Sequence, residues 1–123
     1  MKENIILQKS MNFSIRIVNL YKTLADDRRE YTMSRQVLRC GTGIGAKAHE
    51  ANNAESEWDF LTLMNVALKL ATETEYWITL LGLTNYLAEE ESASVLRDCV
   101  ELKKILTSMV KTMKTRLNPS QIN

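Results

Sequence analysis

At 123 residues, 45% of them hydrophobic, the chain has room for one domain that buries its own core without disulfide or metal staples. One proline and four glycines leave few breaks among abundant Leu, Ala, Glu, Lys and Met. This composition favours an all-α fold, and no strand-like alternation competes with it. The formal net charge of +1 excludes a uniformly basic or acidic surface, yet the charges are segregated: residues 1–50 carry nine Lys/Arg against five Asp/Glu, residues 51–101 two against ten, and residues 102–123 five against none.

The first predicted helix runs over about 10–29, where Phe13, Ile17, Leu20, Tyr21 and Leu24 recur at three-and-four spacing and form one stripe. Arg16, Lys22, Arg28 and Arg29 fall mostly outside it. A second helix is expected over about 34–52, with Ser34 as N-cap and Val37, Leu38, Gly41, Ile44, Gly45 and Ala48 on its packed side.

The third helix, about 56–87, has the clearest start, because Ser56 followed three residues later by Asp59 is a capping-box pattern. Its apolar residues cover most of the circumference. Phe60, Leu63, Ala67, Leu70, Trp77 and Leu81 make one stripe, and Leu61, Met64, Leu68, Ala71 and Ile78 widen it. Such a helix sits centrally or also meets another subunit. "EEES", Glu89–Ser92, is expected to turn, with Ser92 or Ser94 capping a fourth helix over about 93–117. Val95, Cys99, Leu102, Leu106, Met109, Met113 and Leu117 form its stripe, and Asn118-Pro119 ends it. Four helices with short connections predict an antiparallel up-and-down bundle as a single domain.

Three of the four glycines lie in "RCGTGIGAK", Arg39–Lys47. A Walker-type loop needs Gly-Lys-Ser/Thr after a glycine and four residues, but Lys47 is flanked by Ala46 and Ala48. A dinucleotide fingerprint needs a preceding strand and a different glycine spacing. Gly41, Gly43 and Gly45 are therefore read as helix-packing residues. Gly41 and Gly45 share a face that admits a neighbouring backbone or a bulky side chain such as Trp58 or Trp77. Each interior glycine costs roughly 1 kcal/mol against alanine, so close packing must compensate.

The chain resembles the small bacterial four-helix bundle proteins related to the protein encoded in 23S ribosomal RNA intervening sequences, which are sometimes labelled ribosomal proteins. The resemblance spans "KSMNFSIRIVNLYKTL", "EYTMSRQVLRCGTGIGAKAHEA" and "SEWDFLTLMNVALKLATETEYWITLL". Gln36, Arg39, Thr42, Ile44 and Glu50 match the family's second-helix pattern, and Phe60, Glu73 and Glu75 its third-helix pattern. Many relatives have Ser at the place of Gly43 and Asn at that of Lys47. The resemblance implies a ring-like homopentamer without established enzymatic activity. One related branch, the accessory protein of diversity-generating retroelements, associates with a reverse transcriptase and its RNA.

RNA is accordingly one expected partner, and another protein, with this chain as an adaptor, is the alternative. The candidate nucleic-acid contacts are Lys103, Lys104, Lys111, Lys114 and Arg116 on the fourth helix, with Arg28, Arg29 and Arg35 around the first turn. No aromatic residues interleave with the fourth-helix lysines.

Catalytic and metal readings find little support. A di-metal bundle site needs two Glu-x-x-His pairs, whereas His49 is the single histidine and no acid stands three residues before it. Glu73 and Glu75, two apart on a helix, cannot face one direction and make a poor acid/base pair. One of them is expected to form a buried ion pair with Arg39 across the second and third helices. Cys40 and Cys99 lack metal-ligand spacing and read as free buried thiols. No enzyme, cofactor or metal is predicted. The longest uncharged run, Tyr76–Ala88, is short of the roughly 20 residues a bilayer span requires, and no signal-peptide pattern opens the chain, so a cytoplasmic location without membrane contact is expected.

Overall fold

The computed structural model describes residues 2–117, with side chains from residue 5 onward. Four helices, α1 (Lys2–Asp26), α2 (Thr32–Ala51), α3 (Glu57–Leu83) and α4 (Glu89–Leu117), account for nearly all of it, and there is no strand among the described residues. Each connection is five residues, far too short to return along a helix, so consecutive helices run antiparallel. α2 packs against α1 and α3, α3 against α4, and α4 closes the ring against α1, the least extensive of the four contacts. The α1–α2 and α3–α4 turns share one end of the bundle. The α2–α3 turn lies at the other.

The stripes read from the sequence meet in one core. Ile6, Phe13, Ile17, Leu20 and Leu24 from α1 join Val37, Ile44 and Ala48 from α2, Met64, Ala71, Ile78 and Leu81 from α3, and Val95, Cys99, Leu102 and Leu106 from α4. Burying a side chain such as Leu or Ile contributes roughly 1.5–3 kcal/mol, so this cluster is the main stabilising feature. α3 is not central. Its wide apolar surface serves two neighbours and the core, and the remainder leaves Trp58, Tyr76 and Leu83 exposed.

Several boundaries differ from those read in the sequence. α1 begins at Lys2 rather than near residue 10, because Ile6 extends the buried stripe by nearly two turns and is 1% exposed. It ends at Asp26, and the chain reverses through Arg29, whose φ of 55° is left-handed. Ser34 is not the N-cap of α2. The carboxylate of Glu30 takes that role, accepting from the backbone N–H groups of Thr32, Met33 and Ser34 at 3.2, 3.2 and 2.7 Å. Ser34 lies within the first turn and donates its hydroxyl to the Glu30 carbonyl at 2.6 Å.

The Ser56 cap forms as expected, its Oγ accepting from Asp59 N at 3.0 Å, while the Asp59 carboxylate accepts from Glu55 N rather than from Ser56 N. α3 stops at Leu83, four residues before its expected end, because Asn85 adopts φ 67°. "EEES" is helical: Glu89, Glu90 and Glu91 form the first turn of α4, where three carboxylates complement the positive end of the helix dipole. Ser92 and Ser94 sit inside the helix, so neither is its N-cap. Asn118-Pro119 lies outside the described residues.

The glycines fit close approaches, but not to tryptophan. A Cβ on Gly41 would stand 2.9 Å from two side-chain carbons of Ile17, and one on Gly45 would stand 3.1 Å from Ser14 Oγ and 3.3 Å from the Ser10 carbonyl oxygen. Both contacts belong to α1. Gly43, half a turn away, faces α3, where its Cβ would meet Leu70 at 3.0 Å. Trp58 is half-exposed and stands twelve residues, about 18 Å, along α3 from Leu70, the residue that Gly43 faces. Alternate glycines thus let two different neighbours approach α2 on opposite flanks.

Candidate nucleic-acid interface

The basic residues of α4 follow from helical geometry. Successive residues lie about 100° apart, so Lys103, Lys104, Lys111 and Lys114 fall within an arc of about 100°. Val95, Cys99, Leu102 and Leu106 occupy a separate arc centred about 120° away and point into the core. Lys104, Lys111 and Lys114 are exposed. No carboxylate among the described residues pairs with any of the three. Lys103 leans towards α3 and donates to Glu75 Oε1 at 2.9 Å. Glu75, Lys103, Lys104, Thr107, Ser108 and Lys111 line a shallow groove between the two helices.

The other predicted contacts do not join this face. Arg116 turns across the end of the bundle and pairs with Glu57 at 2.8 Å, beside the α2–α3 turn. Arg28, Arg29 and Arg35 belong to the opposite end, which they share with Glu89, Glu90 and Glu91. At 1.5 Å per residue, the 22 residues from Glu89 to Lys111 separate the two ends by about 33 Å. Antiparallel packing thus separates Arg28, Arg29 and Arg35 from the α4 lysines, because it sends the α1–α2 turn away from the end of α4, and Arg116 stands apart from both.

α3 adds residues that reading α4 alone had missed. Lys69 is exposed on its outer surface, six residues and so about 9 Å before Glu75 along the helix. Tyr76 follows Glu75, shares that outer surface with Lys69 two turns away, and is 59% exposed. The signal in the sequence was the seven-residue spacing within a strip otherwise occupied by Thr62, Asn65, Thr72 and Thr79.

Beside Tyr76 the polar contacts are interlocked. Arg39 pairs with Glu73, not Glu75, and also donates to Gln36 Oε1 at 3.0 Å through Nη2. Glu73 accepts from the Trp77 indole N–H at 3.0 Å, and the Trp77 ring meets Tyr76 edge-on, with centroids 5.1 Å apart and planes at 76°. The expected burial of the ion pair is not found: the Arg39 and Glu73 side chains are 53% and 35% exposed. Alternation on the helix explains the partition, since Glu73 faces α2 and Glu75 faces α4.

Burial pushes the Cys99 thiol up to about 12, with Glu75 adding to the effect, and burial also raises Cys40. Both thiols stay protonated and unreactive near neutral pH. His49 is exposed in the last turn of α2. Among the described residues no cluster of three His, Cys, Asp or Glu side chains is placed to hold a metal. None of their helices is long and apolar enough to cross a membrane.

An all-α protein of four antiparallel helices with a lysine-rich outer face is the class these features define. Residues 2–108 match the model of the 23S rRNA-intervening sequence protein family, and the chain belongs to that family. Its structure is similar to the crystal structure of a protein of unknown function from the S23 ribosomal protein family of Bacteroides thetaiotaomicron, with a TM-score of 0.89 and 48% sequence identity over 90% of this chain and 99% of that one. Comparison with curated proteins gave no match.

Proposed function

We propose that this protein is a non-enzymatic, self-assembling four-helix bundle, a ring-like homopentamer in the cytoplasm, that binds structured RNA through the outer face of α3 and α4. The observation that carries this reading is the group Lys104, Lys111 and Lys114, three exposed ammonium groups on one side of α4 with no carboxylate partner among the described residues. Phosphates are the chemistry such an array attracts, and repetition of the array around an oligomer strengthens its field. A second reading, a protein adaptor without nucleic acid, is favoured by an apolar groove on α4 around Ala93, Leu96, Val100 and Ile105.

Titration of a fluorescent structured RNA at several salt concentrations tests the proposal. Micromolar or tighter binding that falls steeply with salt is expected, and charge reversal at Lys104, Lys111 and Lys114 should abolish it. Absence of binding at low salt overturns the RNA reading and leaves the adaptor. Sedimentation of the unliganded protein tests the assembly, and a monomer at micromolar concentration overturns it.

A further inference from the structure

Resting on the RNA reading above, we infer that Tyr76 is a stacking platform for an unpaired base, whose flanking phosphates lie on Lys69 and on the Lys103–Lys104 pair. The ligand would then be a loop, bulge or single-stranded segment of RNA rather than continuous duplex. Three observations converge on this site. First, Tyr76 is an aromatic ring with most of its surface in water, on an outer strip of α3 shared with the exposed Lys69, Thr72 and Thr79, whereas Glu73, Glu75 and Trp77 beside it are partly buried.

Second, the ring is held rather than free. Trp77 meets it edge-on, and Trp77 is itself tied through its indole N–H to Glu73, which Arg39 holds in turn while also donating to Gln36 Oε1. A stacking surface positioned before binding loses less rotamer freedom when a base arrives. The edge-on contact engages Tyr76 without stacking over it, which leaves a flat face for a base.

Third, cations lie along the strip that carries the ring and, about 100° around α3 from it, on the α4 side. Lys69 lies two turns along the same surface, and Lys103 is located at the level of Tyr76 by its bond to the adjacent Glu75. Glu73 and Glu75, the nearest carboxylates in sequence, are each engaged by a cation, which reduces their repulsion of phosphate. A flat aromatic ring with ammonium groups within a few turns suits a base and its backbone, and stacking tolerates any base because every base has a π-face. Duplex RNA keeps its bases stacked on one another and offers the ring nothing to take.

The test compares a labelled RNA hairpin carrying an unpaired loop with a fully paired duplex of equal phosphate number, both titrated by fluorescence anisotropy against the intact protein. Tighter binding of the hairpin is expected. Tyr76→Ala should weaken hairpin binding by between about 5-fold and 150-fold, the range of one stacked base, while duplex binding and the salt slope stay as they were. Tyr76→Phe keeps the ring and should retain the hairpin preference, and an unchanged circular dichroism melt confirms that both variants fold. Equal affinity for hairpin and duplex, or a hairpin affinity indifferent to Tyr76→Ala, overturns this inference while leaving the RNA reading standing. Failure of both RNAs to bind removes the RNA reading itself.

Discussion

The Arg16 guanidinium on α1 donates to the Asp98 carboxylate on α4 at 2.8 Å, and its second terminal nitrogen donates to Ser94 Oγ at 2.7 Å. Together with Lys9 and Glu101, 3.1 Å apart, this contact ties the seam where the bundle closes with its least extensive packing. Polar bonds there do part of the work that apolar interdigitation does at the other three contacts.

The Arg16–Asp98 pair is half-exposed, at 35% and 49%, so its coupling should be modest. A double-mutant cycle of Arg16→Ala and Asp98→Ala is expected to give roughly 0.5–1 kcal/mol, reduced in high salt. The measurement is urea unfolding of the four proteins, and zero coupling at low salt would show that the seam is held by packing alone.

The glycines of α2 should separate by neighbour. Gly45→Ala forces a Cβ against the Ser10 carbonyl, part of the α1 backbone, and is expected to cost roughly 1–3 kcal/mol. Gly41→Leu drives a large side chain into Ile17 and should unfold the protein. Gly43→Ala meets only the end of the Leu70 side chain, which can move, and the gain of roughly 1 kcal/mol in helix propensity should make it neutral or stabilising. Thermal melts of the three variants decide the order.

Glu75 makes its ion pair with Lys103 at a site where both side chains are about one-third exposed. Glu75→Gln should therefore lower stability by no more than about 1 kcal/mol, in contrast to the large loss a buried charge pair would produce. A drop of several kcal/mol in chemical denaturation would require that Glu75 be shielded from water by another subunit.

Cys99 gives the protein an alkaline limit. Its folded pKa is raised by burial to about 12 from the ordinary thiol value near 9, so the unfolded chain releases its proton first as pH rises. The stability held by the neutral buried thiol is complete below about pH 9 and is lost as pH climbs towards 12, at a slope of up to roughly 1.4 kcal/mol per pH unit. Unfolding midpoints at pH 8 and pH 10.5 should differ more in the native protein than in Cys99→Ala. Neither thiol should react with a thiol reagent at neutral pH until the protein is denatured.

Periodicity made the buried stripes of α1, α2 and α4 legible, because residues such as Ile17, Ile44 and Leu102 recur at the spacing of one helix face. Ser56 marked its helix start through a side chain that commonly caps. The α2 start is not legible in the same way, because Glu30 is a glutamate two residues upstream whose carboxylate folds over the first turn, a role its residue type does not announce. The charge of "EEES" suggests a turn, yet clustered carboxylates are also what a first helical turn favours.

Of the candidate interface, Lys103, Lys104, Lys111 and Lys114 could be grouped from α4 alone, whereas Lys69 and Tyr76 could not, since their relation to those lysines depends on how α3 lies against α4. By itself the sequence determined what local chemistry governs: four helices, their apolar faces, and the need for something to approach Gly41, Gly43 and Gly45. Only the tertiary structure decided the partners across helices, Ile17 at Gly41, Glu73 at Arg39 and Lys103 at Glu75. A helix period specifies the direction in which a side chain leaves its own axis, but the neighbour it meets depends on the order and relative height of separate helices, which the packing of the whole core sets.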